Sequence, residues 1–157
     1  MSAVASQHVP GDVELIGDLP VSTQEDATTA VINGGDVCNM TEAADAWLTC
    51  ATSGIGPFRV ATPYGKPVNQ SPSKVELWQN PVWVYVKAGA TIPPNNQVCS
   101  SAATAGRVDA FVDGTTAVNR LIGQYKAKGN VVPIQGDGLT ATTQAVAGDL
   151  ILIVTYG

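Results

Sequence analysis

Five residues near the middle of the chain, Val82-Trp83-Val84-Tyr85-Val86, alternate with period two. The valines fall on one face of a strand and the two aromatics on the other. Both faces are apolar, which predicts a strand covered on both sides, within a sheet stack or at a subunit contact. Val75-Glu76-Leu77-Trp78 precedes it as a second strand, and Asn80-Pro81 interrupts the run. Proline has no N–H to give to a ladder, so the interruption marks an edge, a bulge or a turn. Arg107 to Val112 alternates again, with Val108, Ala110 and Val112 on one side. The run Leu150-Ile151-Leu152-Ile153-Val154, ending in Thr155-Tyr156, has the length and β-branched content of a buried strand. Residues 117–128 admit two readings. Val118, Leu121, Ile122 and Tyr125 share one helical face and Gly129 suits a helix C-cap. Gly123 in the middle and Asn119 weaken the helix, so a strand through Leu121–Lys126 is preferred.

Between these runs the chain is punctuated by 16 glycines and 10 prolines. Short apolar runs separated by turn residues predict an all-β domain, a small β-barrel or β-sandwich. A weak pattern recurs in Asn33-Gly34-Gly35-Asp36-Val37, Lys87-Ala88-Gly89-Ala90-Thr91-Ile92 and Val146-Ala147-Gly148-Asp149-Leu150. In each, glycine permits a tight turn and an aliphatic residue enters the next strand. The copies lack the fixed period of a solenoid. Residues 1–30 differ from the rest: proline, glycine, acids and threonine surround one apolar patch, Val13-Glu14-Leu15-Ile16. This segment reads as an extended N-terminal arm with one strand at most, too poor in apolar residues to order without a covering surface. The division expected is therefore an arm, 1–30, and a β domain, 31–157.

Composition sharpens this picture. Of 157 residues, 45% are hydrophobic and only 13% charged, against about 25% charged in an average domain. Such a chain is coated by neutral polar groups or covered by partners. All eight acids of residues 1–58 (Asp12, Glu14, Asp18, Glu25, Asp26, Asp36, Glu42 and Asp45) stand without a Lys or Arg, and every basic residue lies beyond them. The asymmetry suits either an acidic arm meeting a basic surface or a solvated acidic loop. No basic run is available to neutralise phosphates, which argues against nucleic acid as a partner. No stretch approaches the roughly 18 apolar residues of a membrane span, and the first 20 residues lack the pattern of a signal peptide.

The reactive side chains are few. Cys38, Cys50 and Cys99 are an odd number and read as buried, reduced thiols, with a Cys38–Cys50 bridge as the lesser alternative. Their spacing lacks the close pairs of structural zinc sites, so no metal is expected. His8 is the single histidine and sits in the arm as a tail residue, leaving little support for a nucleophile–histidine set. No phosphate loop or dinucleotide fingerprint is present, and no cofactor is expected. Glu76 beside Trp78 and Trp83 allows a sugar-binding reading, since aromatic faces stack on sugars. The same aromatics serve equally as core or interface anchors, which is the preferred reading. Asp113-Gly114 and Asp137-Gly138 read as turns before calcium ligands.

The run Val82–Ile92, the strand Leu121-Ile122-Gly123 and the closing Ala147-Gly148-Asp149-Leu150-Ile151-Leu152-Ile153-Val154 resemble, as a pattern of turns and strands over residues 31–157, the small capsid decoration (cement) proteins of tailed phages built around an Ala-Gly-Asp turn. The resemblance implies a non-enzymatic, often trimeric β-barrel-like domain on the capsid exterior, made in the host cytoplasm. Its partners would be the major capsid protein and further copies of itself. An arm lying across capsid subunits would use Asp12, Val13, Glu14, Leu15, Ile16 and Asp18. Trp78, Trp83 and Tyr85 would be subunit-interface anchors. Two other expectations remain: a carbohydrate- or receptor-binding β module of a virion, and a tail or neck component.

Overall fold

The computed structural model describes residues 8–15, 19–40, 45–66, 73–126, 142 and 144–157. Within these residues ten strands form three antiparallel sheets. They are β1 (Ser22–Asp26), β2 (Val37–Met40), β3 (Trp47–Thr49), β4 (Phe58–Val60), β5 (Lys74–Trp78), β6 (Trp83–Lys87), β7 (Gln97–Ser100), β8 (Val108–Ala110), β9 (Leu121–Tyr125) and β10 (Leu150–Thr155). The five-stranded sheet has the order β6-β10-β9-β7-β8, the three-stranded sheet β3-β2-β4, and the third is the pair β1-β5. The fold is all-β, as the residue pattern predicts. Of the two architectures expected it is the sandwich-like one, because no sheet among the described residues closes on itself.

Strand alternation explains the layering. In β2, Val37 enters a large apolar cluster against the five-stranded sheet, and its neighbour Cys38 enters a smaller one on the opposite side. Val60 and Ala61 divide in the same way. The three-stranded sheet is therefore buried on both faces. Its large side packs on Val84 and Val86 of β6 and on Ile151 and Ile153 of β10. The small cluster joins Ile32, Trp47, Val75 and Leu77. Single bridges, Ala61–Leu77 and Ala27–Trp47, tie the two smaller sheets edge to edge. Arg59 locks the same seam. Its guanidinium meets Glu25 at 3.0 Å, donates to Thr23 Oγ1 and to the carbonyls of Leu77 and Trp78, and lies over the Trp47 ring. The hydrogen bond from Thr23, then that from Arg59, holds the Glu25 carboxyl below its usual range.

The recurring turn is real, and more frequent than the sequence pattern suggests. In Val9–Asp12, Asn33–Asp36 and Val146–Asp149 the third residue is a glycine with φ of 92°, 78° and 91°. In each, the fourth residue's N–H donates to the first residue's carbonyl at 3.1 Å. A turn with positive φ at its third position demands glycine or asparagine there. The aspartate adds a second clamp. Its Oδ2 accepts the N–H of the first residue, at 2.8 Å in Val9–Asp12, 3.1 Å in Asn33–Asp36 and 3.0 Å in Val146–Asp149. Thr104–Arg107 repeats the backbone with Gly106 (φ 77°), and Pro93–Asn96 does so with Asn95 (φ 60°). One expected copy is corrected. Lys87–Ile92 bends at Gly89 and Ala90 but lacks the four-residue turn's hydrogen bond, because Ala88 N–H donates to the Asp149 carbonyl and Gly89 N–H to the Val108 carbonyl. The turn it was expected to supply lies just beyond, at Pro93–Asn96.

Asp149 is buried, so its clamp carries a testable cost. Asp149→Ala leaves the Val146 N–H without its acceptor, and a loss of about 1–2 kcal/mol is expected in urea unfolding. Asp149→Asn, which keeps an acceptor oxygen, is expected to recover most of it.

The ambiguous segment resolves in favour of the strand. A 3₁₀ turn, Val118–Arg120, leads directly into β9. Arg120 anchors the junction by donating to the Ser100 carbonyl and hydroxyl. Gly123 lies between two strands, opposite Thr155 on one side and Val98 on the other.

Candidate interaction surface

The structure provides a covering surface for the N-terminal segment within the chain itself. β6 ends the five-stranded sheet, and residues 11–14 run along its free edge. Gly11 N–H donates to the Tyr85 carbonyl (2.8 Å), Tyr85 N–H to the Asp12 carbonyl (2.8 Å) and Glu14 N–H to the Trp83 carbonyl (2.9 Å). Val13 bridges Val84 and packs against the large cluster. Two aromatic side chains complete the attachment: Trp78 Nε1 donates to the Gly11 carbonyl at 2.8 Å, and the Tyr85 hydroxyl to Glu14 Oε1 at 3.0 Å. Covering an open edge in this way removes a template for unwanted strand pairing.

This geometry locates the residues singled out from the sequence. Asp12 clamps its turn, and Val13 and Glu14 are engaged with β6. Leu15 points outward, 69% exposed. Ile16 and Asp18 lie outside the described residues, as do Asp137-Gly138. Trp78 and Tyr85 hold the segment in place, and burial is the main cause that pushes the Tyr85 hydroxyl far above its usual pKa, with Glu14 adding to it. His8 is not a free tail residue: its ring lies 4.6 Å from that of Tyr85. Glu76 is separated from Trp83 and spends its carboxylate on Ser22 and Gln24 of β1.

Trp83 is different. It is half-buried and lines a groove of about 320 Å³ with Leu19, Val21, Pro81 and Val154. Lys126 lies over its ring, 5.8 Å from the centroid. Leu19 and Val21, 77% and 53% exposed, form the rim. A second groove, with Phe58, Val118 and Tyr156 in its lining, adjoins the first through Asn80, which lines both. Among the described residues Glu14 is the one charged side chain lining either groove. Of the described arm residues nominated from the sequence, Glu14 alone lines this groove with Trp83. Sequence reasoning missed Leu19, Val21, Val118 and Tyr156. Isolated aliphatics in a loop carry no periodic signal, so the chain alone could not show that they converge.

The three cysteines are free thiols, all buried. Desolvation raises Cys38 and Cys99 above the usual thiol range and pushes Cys50 up to about 11. The arrangement opposes thiolate chemistry, since a nucleophilic cysteine needs its pKa lowered. No family model, curated protein or solved structure matches the chain.

Proposed function

We propose that this chain is a structural virion protein that decorates the outside of a tailed-phage capsid, acting through contact surface rather than bond chemistry. The observation that carries the reading is the continuous charge-poor face from Leu19 and Val21, past Trp83 and Asn80, to Val118 and Tyr156. Exposed apolar side chains gathered around grooves mark protein contacts, and Trp and Tyr are the residues that dominate them. The turn pattern closing on Val146–Asp149 adds the resemblance to capsid decoration proteins. The major capsid protein is the proposed foreign partner, and further copies of the chain, as a trimer, are the proposed homotypic one.

Removing the whole N-terminal segment would be a poor test, because it uncovers the β6 edge. Point changes at the rim separate binding from folding. Purified chain should co-sediment with shells assembled from a tailed-phage major capsid protein, and should elute as a trimer. L19D combined with V21D is expected to weaken shell binding by at least about tenfold, the effect of one lost hot spot, with an unchanged unfolding midpoint. A chain that stays monomeric and remains in the supernatant with every such shell overturns the reading.

A further inference from the structure

A second cleft, on the turn-rich end of the molecule, has the opposite character. It encloses about 260 Å³ between the turns Asn33–Asp36 and Thr104–Arg107, with Pro10 and Lys87 at its sides. Its charges stand out against the pattern elsewhere. Arg59 and Lys74 are paired with Glu25 and Asp26, Lys66 donates to the carbonyls of Thr29 and Ala30, Arg120 binds Ser100, and Lys126 covers Trp83. Among the described residues the side chains of Lys87 and Arg107 have neither hydrogen bond, ion pair nor aromatic ring as partner, and both line this cleft.

The carboxylate of Asp36 shares the cleft and feels both cations. It is already committed: Oδ2 accepts the Asn33 N–H at 3.1 Å and the Thr49 hydroxyl at 2.8 Å. Oδ1 lies against Gly106, 2.9 Å from where a Cβ would stand. One fixed negative charge against two cations leaves the lining with a net positive charge. Burial is the main cause that raises the Asp36 carboxyl above its usual value.

We propose that this cleft is a binding site for a carboxylate group. A guanidinium pairs with a carboxylate in a planar fork, and the lysine supplies a second point charge. Asn33 and Thr104 are neutral polar residues of the same lining. Asp36 disfavours a compact dianion such as phosphate, whose two charges both meet like charge there, whereas the separated charges of a dicarboxylate bring only one carboxylate against it. The carboxylate comes either from a free small acid or from an Asp or Glu side chain on a peptide segment of a protein; the chemistry recognised is the same. The site stands independently of capsid binding, since it lies apart from the Trp83 face.

Amide NMR of the full-length protein tests this. Succinate, inorganic phosphate, an acetyl-Asp-Gly-Glu amide and its Asn-Gly-Gln counterpart are titrated separately at matched ionic strength with sodium chloride. Saturable shifts of the Gly34, Gly35 and Gly106 signals are expected with succinate, with the acidic peptide, or with both. Saturation by succinate alone assigns a free acid as the source, and saturation by the acidic peptide alone a protein segment. K87Q and R107Q are each expected to weaken binding by about tenfold, as loss of one charge-assisted contact does, with the remaining spectrum unchanged. Shifts that follow ionic strength alone, tighter binding of phosphate than of either carboxylate probe, an equal response to the neutral peptide, or unaltered affinity in both variants each overturn the proposal.

Discussion

A Gly123→Ala variant is expected to lose a large share of its folding stability. A methyl group at this position would stand 2.1 Å from the Val154 carbonyl oxygen and 3.0 Å from the Thr155 Cα. Both obstacles are backbone, so no rotamer change relieves the contact. Gly123 faces Thr155 of β10, and the next residues of that strand, Ile153 and Ile151, are fully buried in the large cluster. Moving β10 away would therefore disturb the packing of the whole five-stranded sheet. Overpacking a filled core typically costs about 1–3 kcal/mol, and a backbone-to-backbone clash belongs at or above the top of that range. Against a total of roughly 5–15 kcal/mol for a domain, that is a large share. Gly114→Ala is the control. Nothing lies within 4 Å of a Cβ there, although its φ of 79° disfavours a side chain. That variant is expected to lose only about 1–2 kcal/mol, the local cost of placing an L-residue in the left-handed region. Urea unfolding of the two variants beside the parent separates the effects; equal midpoints would show that the β9–β10 spacing is not limiting.

Gly123 also shows where the sequence is readable and where it is silent. Its presence argued against a helix at 117–128, and the chain there is indeed a strand after a short 3₁₀ turn. What the sequence could not reveal is that the glycine is needed for close approach of a neighbouring strand. The alternation in Val82–Val86 and the apolar run Leu150–Val154 were legible because strand geometry imposes period two on any residue that must avoid water. The Asp-containing turns were legible at Asn33–Val37 and Val146–Leu150, but Val9–Asp12, which holds the same glycine and aspartate, was passed over within the arm. They were hidden at Pro93–Asn96, where asparagine takes the positive φ and a proline has no N–H to clamp, and at Thr104–Arg107, where no aspartate follows. The placement of residues 11–14 was least accessible. Their composition says that they need a surface; only the open edge of β6, a product of tertiary topology, says which surface. The two grooves share this origin, since Leu19, Pro81, Val154 and Tyr156 meet through strand order and not through spacing.

Raising the pH above about 9 is expected to destabilise the protein steeply. The cause is the set of neutral acids sealed in the core. Cys38, Cys50 and Cys99 all have pKa values raised by burial, Cys50 to about 11 from 9.0. Tyr125 is pushed up to about 12 from 10.0 by burial and the nearby Asp149, and Tyr85 is raised by burial and Glu14. The unfolded chain releases these protons near the ordinary values, about 8.5 for thiols and 10 for phenols, while the folded chain retains them. The unfolded state then binds fewer protons, so stability falls as pH increases. The contribution is fully present below about pH 8.5 and drains away until the folded pKa is passed. For Cys50 alone, two pKa units correspond to roughly 2–3 kcal/mol, and the remaining thiols and phenols act in the same direction. Denaturant midpoints are therefore expected to be level from pH 7 to about 8.5 and to drop steeply between about 9 and 11. Cys50→Ala should flatten part of that slope while costing a small cavity at neutral pH. Over the same range, alkylation by iodoacetamide should track global unfolding, because a buried thiol that holds its proton reacts only when the chain opens. A midpoint that stays constant to pH 11, or rapid labelling of all three thiols in the native protein at pH 8, would mean that these groups are not sealed from water.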